Sequence, residues 1–178
     1  MKILALTLTI LFSQTAISSI LVEPQLGYVV SHNADDRISV TRNGVTSTAN
    51  VSASGTAAEI GARVGLQYFG FMAGASVVQG ASDKGMLTGV FVGFNAPILV
   101  RAWAAYNFKS EINYGSTETD GTSIELGAGF TALPLLSINL IYRKYNMDEL
   151  NVSGLAYSTS GYKPSEVVLA VSAPLTFL

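Results

Sequence analysis

The side chains able to do chemistry in this sequence are few, and six of them stand in surroundings hostile to charge. Arg63, Arg101 and Arg143, with Glu59, Glu125 and Glu166, fall in stretches dominated by apolar residues and glycine. A charge withdrawn from water must be paired, because an isolated ion in a low-dielectric interior costs more than folding supplies. Three guanidiniums and three carboxylates therefore predict a network of crossed ion pairs. Such a network is either a static filling or a gate in which re-pairing opens a narrow water path. Catalysis finds little support. The only histidine, His32, is followed by Asn33, Asp35 and Asp36. As a general base it would need a nucleophile within about 3 Å, and its setting reads as a solvated loop. With no cysteine and no second histidine, no transition-metal site is expected. Asp35, Asp36, Glu118, Asp120, Asp148 and Glu149 sit in polar stretches where carboxylates collect cations weakly or merely solvate the chain. No cofactor and no catalytic residue is expected.

What must hold the six charges is a set of strands. In residues 56–68, Ile60, Ala62, Val64, Leu66 and Tyr68 alternate with Glu59, Gly61, Arg63, Gly65 and Gln67, so one face is apolar and the other polar or small. The pattern recurs eight times, near 22–32, 56–68, 71–79, 86–96, 98–109, 122–132, 135–147 and 165–177. Gln25, Asn107 and Asn139 join the charges on the inner face. Each apolar stripe is about the 9–11 residues that a tilted strand needs to cross a bilayer. Unpaired backbone groups in lipid cost several kcal/mol each, so the sheet must close. The expected fold is all-β: an eight-stranded antiparallel up-and-down transmembrane barrel. Composition agrees, since 49% of the 178 residues are hydrophobic and only 12% charged, about half the usual share. A net charge of −2 gives nucleic acid no basic footprint.

The ends and joints suggest an orientation. Lys2, the apolar run Ile3 to Phe12 and the small, polar stretch Ser13 to Ser19 have the layout of a secretory signal cut after Ser18. The mature barrel would then span residues 19–178. Joints at 68–71, 96–98 and 132–135 are tight; those at 33–55, 80–85, 110–121 and 148–164 are mostly longer and polar. Outer-membrane barrels have short periplasmic turns and longer outside loops, which puts both termini in the periplasm. Tyr68, Phe69, Phe71, Phe108, Tyr142, Tyr145 and Phe177 cluster near strand ends, as interfacial girdles do.

With these stripes on view, the chain resembles the small eight-stranded outer-membrane barrels, namely the transmembrane domain of the OmpA type and its OmpX and OmpW relatives. The closing segment, with Val171, Ala173, Leu175 and Phe177, resembles the terminal signal read by barrel-assembly machinery in such families, although Leu178 follows the aromatic. The resemblance implies outer-membrane lipid and the assembly machinery as partners, a monomer, and an inner charge network like that of the OmpA family. Two functions fit: a structural or surface-interaction barrel with exposed outer loops, or a narrow channel for small solutes or small apolar molecules. Barrel enzymes acting on lipid rely on a histidine with a serine or acid partner, which His32 matches poorly.

The first outer loop carries a sharper signal. Ile38 to Arg42 and Val45 to Ala49 are β-prone and flank Asn43-Gly44, a strong type I′ hairpin signal. The first two wall strands should continue outward as a ribbon with Arg42 opposite Val45, so paired numbers sum to 87. In the wall, Tyr28 and Ile60 must both face lipid, which demands an even sum. The two registers disagree by one residue, and a bulge or break near Asp35–Asp36 or Ser54–Gly55 must absorb it. Such a ribbon would offer an unpaired edge to a surface ligand.

Overall fold

The computed structural model describes residues 19–80, 84–96, 99–114, 117–133, 135–152 and 155–178. The proposed signal, residues 1–18, lies outside them. Eleven strands follow in order: β1 (Ser19–Arg42), β2 (Val45–Ser54), β3 (Ala57–Tyr68), β4 (Phe71–Gly80), β5 (Lys84–Asn95), β6 (Val100–Tyr114), β7 (Thr117–Leu133), β8 (Leu136–Val152), β9 (Leu155–Tyr162), β10 (Ser165–Ser172) and β11 (Leu175–Phe177). Eight of them form a ring of antiparallel neighbours, β1-β3-β4-β5-β6-β7-β8-β10, with β10 returning to β1. The sheet is a closed barrel, so its wall has no free edge.

Alternation sorts the side chains as period-two spacing demands. On β8 the burial simply alternates from Leu136 to Met147. Leu26, Ile60, Val92, Leu126, Leu140 and Leu169 point outward; Gln25, Asn107, Asn139 and the six inner charges are buried, while Gln67 near the end of β3 is half-buried. Tyr68, Phe71, Phe94 and Phe177 ring the end of the barrel that carries the tight turns. Phe69 and Gly70 make one of those turns, both with positive φ. Tyr145 is a correction: it is buried, on the inward parity of β8, and belongs to no girdle.

The opposite end grows well beyond a bilayer's thickness. β1 alone has 24 residues, about 80 Å of extended chain. The stretches 110–121 and 148–164, expected as loops, are largely paired strand: β6 with β7 up to Tyr114↔Thr117, and β8 with β9 up to Val152↔Leu155. Sequences rich in Ser, Thr and Asn pair here because the strands below them are already in register.

The ribbon has the expected turn. Arg42 faces Val45, and Asn43 and Gly44 have φ of 50° and 80°, the left-handed pair that a type I′ turn needs. Pairing runs from there to Asn33↔Ser54 with every sum 87, whereas β1 and β3 pair with every sum 86. The extra residue is Val30. The β1–β10 register also slips there, between Val29 and Ser31. Asp35 and Asp36 are paired normally, with Ser52 and Val51, so the bulge is not where those residues suggested. On the other strand the interruption falls at Gly55 and Thr56, which overlaps the second expected place, Ser54–Gly55. Val30 and Ser31 are both exposed, and beyond them the parity of β1 inverts.

Candidate functional site

That inversion decides the fate of His32. Instead of standing in a solvated loop, it is buried, with Nδ1 3.0 Å from Glu166 Oε1. It forms the outer end of a continuous chain of buried polar groups. Tyr145 Oη donates to Glu166 Oε2 at 2.8 Å, and Arg143 reaches Glu166 (3.2 Å), Glu59 (3.1 Å) and Glu125 (2.9 Å) at once. Arg63 links Glu125 (3.0 Å) to Glu23 (3.5 Å), and Arg101 closes the chain on Glu23 at 2.6 Å. All six residues singled out in the sequence therefore meet in one network. A seventh, Glu23, is buried among them and also accepts a hydrogen bond from Ser172 at 2.6 Å. Counting Glu23, Glu59, Glu125 and Glu166 against Arg63, Arg101 and Arg143 leaves one carboxylate in excess.

The molecule is a membrane-spanning β-barrel. A charged interior inside an apolar wall is the reverse of a water-soluble fold, and only lipid makes it economical.

Room for the network comes from missing side chains. Trp103 donates from Nε1 to Glu125 at 2.9 Å, and its ring carries the Arg63 guanidinium 4.1 Å from its centroid. The indole lies over Gly127, where an added Cβ would sit 2.1 Å from ring carbons. Gly27 makes space for Glu59 in the same way. Gly127→Ala should therefore push the indole off both partners and cost about 1–3 kcal/mol through overpacking. Gly55→Ala, with nothing within 4 Å of the new carbon, should be neutral. Urea midpoints of the two purified variants check the contrast.

Above the network the interior becomes apolar. Ala34, Ile38, Val78, Leu87, Ile112, Tyr145, Met147 and Tyr162 form one buried cluster. The cavity between it and the Glu59–Arg143 pair has a volume of about 10 Å³, room for roughly one water. The sequence did not announce this second layer, since half of it, Ala34, Ile38, Ile112 and Tyr162, comes from stretches expected as loops.

The remaining candidates lie apart. Arg42, at the hairpin tip, donates to Tyr157 Oη at 3.3 Å and stacks over that ring, tying the ribbon to β9. Val171 faces outward near the end of β10, and Leu175 and Phe177 lie on β11, which pairs with Ile20 to Val22. Ala173 donates its amide to Pro24. On the strand extension opposite the tight turns, Glu111, Glu118 and Asp120 bring carboxylate oxygens within 4.8 Å of one another, and Lys109 pairs with Glu111. Burial, with help from Glu118, Glu111 and Glu149, raises the Asp120 carboxyl above its ordinary range.

No protein-family model matches the chain, and no curated protein matches it. Among solved structures it is similar to Neisserial surface protein A, with a TM-score of 0.46 and 10% identity over 89% of this chain and 99% of that one. It is similar also to the outer membrane protein OprG from Pseudomonas aeruginosa, with a TM-score of 0.44 and 10% identity over 88% and 96% of the two chains.

Proposed function

We propose that this protein is an integral outer-membrane barrel with a closed interior that works through its protruding outer sheet, as a structural or surface-interaction element. The observation that carries this reading is the filled lumen: an ion-pair chain from Arg101 to His32, capped by an apolar cluster. Eight strands enclose an interior that side chains can fill, and two chemically different layers of buried side chains support that reading here. Both termini would lie in the periplasm, with the ribbon outside, and insertion would use the closing segment that ends in Phe177. The barrel would act as a monomer and carry no active site.

Planar-bilayer recordings on the purified protein test the closed interior. The expected result is no discrete conductance steps. Steady single-channel openings in the unmodified protein would instead favour a narrow channel. Location is tested by membrane fractionation with epitope tags. A tag after Asn43 should be reached by antibody on intact cells, whereas a tag after Leu178 should not.

A further inference from the structure

The wall of the barrel has no edge, but the ribbon does. Among the described residues β2 pairs with β1 alone, so its second row of backbone donors and acceptors faces outward for ten residues. Val45, Thr46, Ser47 and Thr48 are exposed in succession, so neither face of the strand is covered there. Natural edges of this kind are usually blunted with charge, proline or a bulge. β2 has none of these: its sequence, VTSTANVSAS, carries no charge and no proline, and its pairing with β1 is regular throughout. Two-stranded ribbons are marginal in water, and a third strand is what normally stabilises them. On the far side, among the described residues, the ribbon stretch of β1 gains only four pairs, Asn33 with β10 and Ser39 to Thr41 with β9.

Resting on the surface-interaction reading above, we propose that the partner of β2 is β2 of a second copy, presented by a facing membrane. A neutral strand meets its own copy without the like-charge penalty that normally forbids self-pairing. The sense of pairing selects the second membrane. β1 runs unbroken from the wall to the ribbon tip, so β2 returns toward its own bilayer. Two copies in one membrane are related by an axis along the membrane normal, which would set two such strands parallel. An axis lying between two facing membranes sets them antiparallel, the more stable arrangement per residue. In a register centred on Thr48, that residue meets its own copy and Thr46 meets Asn50. One such contact is weak, but many copies on apposed surfaces add up through multivalency. Detergent-solubilised protein should therefore stay monomeric while membranes that carry it adhere.

The test uses vesicles reconstituted with the full mature chain and no other protein. Wild-type vesicles should cluster in proportion to protein density, as read by light scattering. Thr48→Lys vesicles and Thr48→Glu vesicles should each stay dispersed, and a mixture of the two should cluster again. Closed barrels commonly resist detergent unfolding until boiled, so the gel-mobility change on heating should be the same in wild type and both variants, since Thr48 is exposed. Dispersed wild-type vesicles, or clustering of the Thr48→Lys vesicles alone, would overturn the self-pairing. If wild-type vesicles stay dispersed while ribbon-dependent binding to another surface persists, the surface role stands and only this partner is wrong. If neither occurs, both fail.

Discussion

Arg143→Met should lower the stability of the folded barrel by about 3–5 kcal/mol, the cost of leaving buried charge without its partner. Arg143 is fully buried and touches three carboxylates, those of Glu59, Glu125 and Glu166. Methionine keeps the apolar stem but removes the guanidinium, and with it the charge that holds the three carboxylates together. The cost arises less from losing a salt bridge than from stranding carboxylates in a low-dielectric space. A compensated variant separates the two effects: Arg143→Met with Glu59→Gln and Glu166→Gln should recover much of the loss. Urea midpoints in lipid or detergent measure all three forms. An unchanged midpoint for Arg143→Met would mean that water solvates the network freely. A new conductance in that variant would mean that re-pairing opens a path through the apolar cap.

Leu126→Arg should cost about 2–4 kcal/mol, the range for a cation near the midplane on the lipid face of a barrel. Leu126 is 53% exposed, while its neighbour Glu125 is 3% exposed. It lies within the outward run Ile124, Leu126, Ala128 and Phe130 of β7. In a soluble protein an arginine at so open a position would be harmless. Leu155→Arg, on the β8–β9 hairpin outside the lipid, provides the comparison and should change stability by no more than about 0.5 kcal/mol. Equal tolerance at both positions would remove lipid from the account.

The wall was legible because its two faces obey one rule. Alternation alone assigned Arg63, Arg101, Arg143, Glu59, Glu125 and Glu166 to the inside, and all six are buried there. Glu23 was missed because it precedes Pro24, at the margin of the first apolar stripe; the parity of Gln25 would have found it. Tyr145 was taken for a girdle residue although its odd number on β8 already pointed inward. His32 was a different failure. Wall parity carried past Tyr28 turns it outward, and only the extra residue at Val30 brings it in. The register argument required such a bulge but could not place it, since Asp and Gly tolerate bulge geometry better than valine does. Partners directly opposite on neighbouring strands, Glu125 and Glu166 beside Arg143, follow from register, but partners across the lumen do not. Arg143 and Glu59 are 84 residues apart and meet across the lumen, where strand tilt and stagger set the contact rather than spacing along one strand.

The central claim is an inside-out protein, and the most direct measurement leaves the sequence untouched. Methyl-labelled protein in lipid nanodiscs can be searched by NMR for magnetisation transfer from acyl-chain protons. Leu140 and Leu169 face outward, whereas their immediate neighbours Ile141 and Val168 are fully buried. The account predicts strong lipid cross-peaks from Leu140 and Leu169 and none from Ile141 and Val168. Cross-peaks from the second pair, or none from the first, would contradict it.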